Sequence, residues 1–194
     1  MFDRAVDVVP NFVPGAGLMP VTDTWAYVGR LSQEKGIQQL LRLWPSAERL
    51  DVIGDGALAP MVQDVARNQP NIQAKGLLDR DDLLDVLGSY RGLVIPSVCA
   101  EQLPTIALEA LSRGVPLIIS SLIDAAKDME DEGAAVTFDP LGDAANLEGA
   151  LSRATGTNEA MRQSAVALHG ARFSAAVWQR AIDEIYGEIG QASQ

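Results

Sequence analysis

The chain has 194 residues, 47% of them hydrophobic, which is enough for one well-buried domain of ordinary size. Its formal net charge of −11 argues against a protein that grips nucleic acid or an anionic membrane over a broad surface, but a few local cations could still hold a small anionic ligand. With no bilayer-length apolar run, no signal-peptide pattern and one cysteine, the sequence predicts a cytoplasmic protein without an internal disulfide.

The first 20 residues differ in composition from the rest of the chain. They carry three prolines and two glycines around one short apolar run. Because proline and glycine punctuate regular structure, we predict that residues 1–20 form a linker or a strand leading into the domain.

From residue 21 onward, short apolar runs alternate with segments of helical periodicity. The apolar runs are TWAYVG, RLDVIG, NIQAKG, GLVIPS, VPLIIS and AAVTF. The helical segments between them include GIQQLLRLW, ALAPMVQDVARNQ, DRDDLLDVLGSY and PTIALEALSRG, and residues after about 143 look wholly helical. This pattern predicts an α/β fold: a Rossmann-like, doubly wound parallel sheet of about six strands, with helices on both faces and a helical C-terminal tail.

The first candidate site is GRLSQEKG, residues 29–36, which follows the strand TWAYV. In an open α/β sheet, ligands bind at the carboxyl ends of the strands. Gly29 and Gly36 would let this loop turn tightly, and Arg30 and Lys35 could together neutralise a diphosphate. The alternative is a solvated charged turn.

The next glycine turn, GDGALA at residues 54–59, matches the G-x-G-x-x-A pattern of dinucleotide-binding folds. The following strand ends in Lys75 and Gly76, without the acid that would hold an adenine ribose. A tight turn into a helix is therefore the preferred interpretation, and a dehydrogenase-type dinucleotide domain is the alternative.

The segment EQLPTIALE, which runs from Glu101 to Glu109, follows the strand GLVIPS. Pro104 fits a first helical position, so we predict a helix from about Pro104 to Arg113. Free N–H groups at its amino end could bind a phosphate, and the two acids would bracket a ligand whose hydroxyls face the carboxylates. The alternative is an acid favoured by the helix dipole together with a solvated Glu109.

Other titratable residues predict no further site. The acid cluster at 79–82 is interpreted as a helix N-cap with acids in the first turn, and the cluster at 128–132 as a charged loop. No His or Cys stands near either cluster, so no metal site is predicted. Cys99 is expected to be a small buried core residue, and His169 a partly exposed helix-end residue.

Taken together, these segments resemble the C-terminal half of a retaining GT-B glycosyltransferase of family 4, the group 1 glycosyltransferases. YVGRLSQEKGIQQLL looks like the family's G-R-L-x-x-E-K-G segment, and VIGDGAL looks like its next strand and glycine turn. PSVCAEQLPTIALEALSRGVPLIIS looks like its P-S…E-x7-E…G-x-P signature, and FSAAVWQRAIDEIY resembles its closing helix. The resemblance implies one half of a GT-B fold, with a linker at 1–20, a Rossmann-like nucleotide-sugar-binding domain at 21–170 and a closing helix at 171–194.

The resemblance also assigns roles to the matching positions. Arg30 and Lys35 would hold the donor's diphosphate and stabilise negative charge as it leaves. Glu101 would contact hydroxyls of the transferred sugar, Glu109 would accept hydrogen bonds from the ribose, and Leu78 would lie against the base. Arg30, Lys35 and Glu101 are thus the implied catalytic residues. The implied donor-binding set is Gly29, Arg30, Lys35, Leu78, Glu101, Gln102, Leu103, Pro104, Thr105, Ile106 and Glu109.

The implied substrate is a UDP- or GDP-linked sugar, whose glycosyl group is transferred with retained anomeric configuration and without a metal or other cofactor. The acceptor would bind mainly to an N-terminal GT-B domain, which this chain lacks. The chain is therefore expected to be an inactive fragment of a longer enzyme that is cytoplasmic or peripheral to the inner face of the membrane.

Two features depart from the family pattern. Gln102, Leu103 and Pro104 stand where the family usually has glycine and an aromatic residue, and SSLIDAAKD replaces a later glycine pair. Two further alternatives remain open beside the glycosyltransferase. One is a nucleotide-sugar epimerase of the same architecture, for which the sequence shows no acid–base residues, and the other is a non-catalytic nucleotide-binding module.

Overall fold

The computed structural model describes residues 9–15 and 18–192. Within that part of the chain the strands are β1 (Thr24–Val28), β2 (Arg49–Ile53), β3 (Ile72–Gly76), β4 (Gly92–Ile95), β5 (Leu117–Ser120) and β6 (Ala135–Phe138). They form one parallel sheet in the order β3-β2-β1-β4-β5-β6. All six predicted strands and the doubly wound fold class are confirmed.

The strands form where the sequence is most continuously apolar. Every residue of β4 and β5 is buried, as is every residue of β2 except the first, because helices cover both faces of the sheet there. The exception is β3 at the sheet edge, where only Ile72 is buried. Its remaining residues are polar or small, which suits a strand with one open side.

Helices follow each strand and then form the tail. They are α1 (Ile37–Leu43), α2 (Ala59–Asn68), α3 (Arg80–Leu87), α4 (Thr105–Ser112), α5 (Ala126–Asp131), α6 (Ala144–Gly156), α7 (Asn158–Arg172) and α8 (Ala175–Ala192). One face of the sheet packs against a core that includes Leu108 of α4 and Leu168 of α7. The other face packs against a core that includes Leu40 of α1 and Leu147 of α6. The described helices therefore lie on both sides, as predicted.

Three local predictions are wrong. The acid cluster at 128–132 is mostly helical rather than a charged loop: it lies largely within α5, where Met129 anchors the helix in the core. His169 is buried rather than partly exposed, because its Nε2 lies 2.9 Å from the carbonyl oxygen of Val13. Cys99 is half-buried rather than a core residue, because it lies in the loop after β4.

The predicted leading segment lies partly outside the described residues. Where it is described, residues 9–15 and 18–20 form neither helix nor strand. Val13 N–H donates to the carbonyl of Phe173, and Arg162 donates to the carbonyl of Met19. One backbone hydrogen bond and one from the Arg162 side chain thus hold the segment against α7 and its C-terminal end. Among the described helices, none is both long enough and apolar enough to cross a membrane.

Candidate functional site

The strand order reverses between β1 and β4, which are neighbours in the sheet although β2 and β3 lie between them in sequence. Their carboxyl ends therefore leave a crevice, which is where ligands bind in open α/β sheets. A cavity of about 400 Å³ lies there. Of the predicted site residues, its walls include Gly29, Lys35, Glu101, Leu103, Pro104, Thr105 and Ile106.

The loop after β1 is fastened to the loop after β4. Gly36 has φ of +72°, a left-handed conformation that favours glycine, and it forms the N-cap of α1. A side chain at this position would meet the carbonyl oxygen of Pro96. In addition, Val98 N–H donates to the carbonyl of Glu34 at 3.0 Å. These contacts fix the position of Lys35 relative to Glu101.

Lys35 and Glu101 form the central ion pair of the cavity. Lys35 Nζ donates to Glu101 Oε2 at 2.7 Å, and the two side chains are 32% and 18% exposed. Partial burial alone would raise the pKa of Glu101, but hydrogen bonds from Lys35 and Ser97 outweigh it, so this pKa is lowered. Glu101 is therefore an ionised acceptor at neutral pH, suited to receiving hydrogen bonds from hydroxyl groups.

Arg30 and Leu78 line a second cavity of about 290 Å³. This cavity adjoins the first, since Val28 and Gly29 line both. The Arg30 side chain is exposed, and its backbone carbonyl accepts a hydrogen bond from the buried Tyr27 hydroxyl at 2.8 Å. Burial, and then the negative charges of Glu34 and Glu101, raise the pKa of Tyr27, so its hydroxyl remains a donor.

The amino end of α4 closes one side of the first cavity. Pro104 is the N-cap residue rather than the first helical residue, one position from the predicted boundary. The Ala107 N–H donates to the Pro104 carbonyl at 2.9 Å, but the N–H groups of Thr105 and Ile106 precede the first intrahelical hydrogen bond, so they can serve an anion. Gln102 is exposed and is not part of either cavity wall; its carbonyl accepts a hydrogen bond from Ala125.

Glu109 lies deeper than a solvated acid would. Its side chain is only 6% exposed, so the alternative of a solvated Glu109 is wrong. The guanidinium of Arg80, the first residue of α3, lies 2.5 Å from Glu109 Oε1. Their relative orientation is not that of a hydrogen bond, however, so this buried oxygen has no hydrogen-bond partner in the described part of the chain. Glu109 is not part of either cavity wall.

Sequence reasoning missed Arg80, Ser97 and Tyr27 as residues of this site. The sequence could have predicted Ser97 and Tyr27 as site residues, since each lies near the carboxyl end of a strand. It gives little reason to predict Arg80, because this residue lies within an acid cluster that is typical of helix capping. Asp79 does occupy the N-cap position of α3, but its side chain makes no capping hydrogen bond.

The glycine turn GDGALA has a structural role in this arrangement. Gly54 and Gly56 have φ of +143° and +153°, and side chains there would meet the carbonyl oxygens of Gly29 and Leu31. Leu31 N–H donates to the Asp55 carbonyl at 2.9 Å. The turn therefore packs against the loop after β1 and supports it.

Comparison with known proteins gives matches over most of the chain. A family model described as glycosyl transferases group 1 matches residues 22–156. An uncharacterized glycosyltransferase of Methanocaldococcus jannaschii is 31% identical over 121 residues, which cover 58% of this chain and 30% of that protein.

The fold of this chain is also similar to the folds of solved structures. The lipopolysaccharide outer core galactosyltransferase WaaB superposes with a TM-score of 0.73 and 22% identity, covering 94% of this chain and 56% of that one. HepE of Anabaena in complex with UDP superposes with a TM-score of 0.74 and 16% identity, covering 86% of this chain and 49% of that one. The chain thus spans 30% of the length of that curated relative and about half of each of these solved chains.

Proposed function

The chain belongs to the group 1 glycosyl transferases, and we propose that it is the donor-binding, C-terminal domain of a retaining glycosyltransferase of family 4. Its substrate would be a nucleoside-diphosphate sugar, UDP- or GDP-linked. The observation that carries the proposal is the convergence of Lys35, Glu101 and the amino end of α4 on one cavity at the switch point of the sheet.

Each part of the cavity suits one part of such a donor. Lys35 and the first-turn N–H groups of α4 provide positive charge for the diphosphate, with Arg30 in the adjoining cavity. Glu101 provides an ionised acceptor for hydroxyls of the transferred sugar. Leu78, in the adjoining cavity, would provide an apolar surface for the base. Glu109 lies outside both cavity walls, so it would accept hydrogen bonds from the ribose only after the Arg80 side chain moves aside.

The chemistry would be carried by electrostatics. As the bond between the sugar and the diphosphate breaks, negative charge grows on the departing phosphate oxygens. Lys35 and Arg30 would already be positioned to stabilise that charge. Electrostatic stabilisation of this kind is usually the largest single contribution to the rate enhancement of an enzyme. Neither Glu101 nor Glu109 needs to act as a nucleophile, and we propose no metal or cofactor.

Two further observations support the proposal. HepE of Anabaena, whose fold superposes on this chain, has been solved in complex with UDP and with UDP-glucose. The chain also covers only about half of such structures, which fits one domain of a two-domain enzyme. We propose that the acceptor binds to the other domain and that the isolated chain transfers no sugar. We also propose that the full-length enzyme is cytoplasmic or peripheral to the inner face of the membrane.

The test is a calorimetric series on the purified chain with UDP, GDP, ADP and NAD. We expect binding of UDP or GDP, weaker binding of ADP and none of NAD. Preferred binding of NAD would instead favour the dinucleotide interpretation of the GDGALA turn. Steady transfer from UDP- or GDP-glucose by the 194-residue chain alone would contradict the proposal that the acceptor domain is required.

The two acids are expected to recognise different parts of the donor. Glu109→Ala should weaken UDP and UDP-glucose alike, by about 1–2 kcal/mol, because both ligands carry the ribose. Glu101→Ala should weaken only the nucleotide-sugar, by a similar amount. Calorimetric titration of both ligands into both variants measures this. If Glu101→Ala affected both ligands equally, the division of roles between the two acids would be wrong.

A further inference from the structure

Arg80 is the residue near the predicted ribose site whose role the proposed function leaves unexplained. Its side chain is 64% exposed, yet its guanidinium reaches the buried carboxylate of Glu109, 29 positions further along the chain. The contact is an ion pair, with Arg80 Nη2 lying 2.5 Å from Glu109 Oε1. Because most of the Arg80 side chain stays exposed, the rest of its guanidinium is open to a ligand.

A second arginine beside Glu109, Arg113, has a structural role. Arg113 Nε donates to the carbonyl of Leu84 at 2.9 Å, and its Nη1 donates to Ser112 Oγ at 2.9 Å. Arg113 thus ties α4 to α3 with its own donors. Arg80 links the same two helices through its ion pair with Glu109, but most of its side chain is exposed, so it is also accessible to a ligand.

The geometry pairs Arg80 with Glu109 by charge but leaves the pair without an aligned hydrogen bond. Glu109 Oε1 is buried, so a well-aligned donor from a ligand would improve on the contact it has. A hydroxyl group can donate to a carboxylate and at the same time accept from a guanidinium. Two neighbouring hydroxyls on one ring would use both groups together.

We propose that Arg80 and Glu109 together bind the vicinal diol of the donor's ribose, with Glu109 accepting from the hydroxyls and Arg80 donating to them. This inference rests on the proposed function, since it assumes that a nucleotide occupies the cavities. It adds Arg80 as a specificity-determining residue that selects ribonucleotides over deoxyribonucleotides. The long, mostly exposed side chain of Arg80 can shift to admit the hydroxyls.

The test compares UDP with 2′-deoxy-UDP and 3′-deoxy-UDP by calorimetry, or the matching GDP series if the wild type prefers GDP. We expect the wild-type chain to prefer the ribonucleotide by roughly tenfold or more over each deoxy form. Arg80→Ala should reduce that preference to roughly threefold, mainly by weakening the ribonucleotide. Arg80→Lys should fall between them, because it keeps the charge and loses the fork of donors.

Arg67→Ala is the matched control, because Arg67 is an exposed arginine on α2 whose one ion partner among the described residues is Asp64 on the same helix. It should leave both affinity and ribose preference unchanged. Thermal melting of each variant confirms that the fold is retained, which the exposure of Arg80 leads us to expect.

Three results for Arg80→Ala would overturn the inference alone. An unchanged preference for the ribonucleotide over the deoxy forms would show that Arg80 does not bind the diol. Tighter binding of UDP would show that Arg80 competes with the ribose for Glu109. Equal weakening of all three nucleotides would show that only its charge matters. If the wild type bound no nucleoside diphosphate, the proposed function would fall, and this inference with it.

Discussion

Gly36→Ala is expected to lower the free energy of unfolding by about 3 kcal/mol or more. Two costs combine at this position. A left-handed conformation costs a non-glycine residue about 1–2 kcal/mol, and Gly36 has φ of +72°. The new Cβ would also lie 1.8 Å from the carbonyl oxygen of Pro96, so backbone must move, at a cost of about 1–3 kcal/mol or more.

The matched control is Gly76→Ala. Gly76 has nearly the same conformation, with φ of +71°, but no atom of the described residues lies within 4 Å of the added Cβ. It should cost only the conformational part, about 1–2 kcal/mol. Chemical denaturation of both variants measures the difference. If the two substitutions destabilised the chain equally, the loops after β1 and β4 would not be in close contact at Gly36.

Lys35→Ala is expected to weaken UDP or GDP binding by about 1.5–3 kcal/mol, which is more than tenfold. The substitution removes a charge-assisted contact to the diphosphate from inside the cavity. It also leaves Glu101, at 18% exposure, without its ion partner and with its negative charge facing the phosphates. Arg30→Ala should have an effect in the same direction, and a smaller one because Arg30 is exposed.

Lys75→Ala is the control for Lys35→Ala. Lys75 is also a lysine paired with a carboxylate, since its Nζ lies 3.4 Å from Asp51 Oδ2, but it lines neither of the two cavities of the proposed site. Its removal should change nucleotide affinity little. Equal losses in the two variants would mean that overall charge, rather than the cavity, governs binding. If both Lys35→Ala and Arg30→Ala left nucleotide affinity unchanged, residues 29–36 would be a solvated charged turn without a role in binding.

The sheet could be predicted from the sequence because its strands are short, apolar and evenly spaced by helical segments. The same pattern placed the loops after β1 and β4 at one edge of the sheet. It did not predict that β1 and β4 are neighbours, so the ion pair between Lys35 and Glu101 could not be predicted. Prediction was poorest where burial depends on distant partners. His169 is buried because α7 packs against the leading segment at Val13, a contact 156 positions away in sequence.

The site itself could be predicted only in part, for the same reason. The spacing of Glu101 and Glu109 gave their positions on a loop and a helix, but not the burial of Glu109. That burial depends on tertiary packing that local periodicity does not reveal: α7 packs against α4, and Arg80 of α3 contacts Glu109. Arg80 reaches Glu109 only because α3 returns across the sheet from β3 to β4, so no short motif links the two residues.

The central claim is that a nucleoside diphosphate binds where the loops after β1 and β4 meet. The most direct measurement is the change in backbone amide chemical shifts when UDP, or GDP if it is preferred, is titrated into the isotopically labelled chain. We predict that the largest changes fall in residues 29–36, 76–80 and 97–109. Changes concentrated instead around the separate polar cavity that Asp51 and Gln73 line, with those loops unaffected, would contradict the claim.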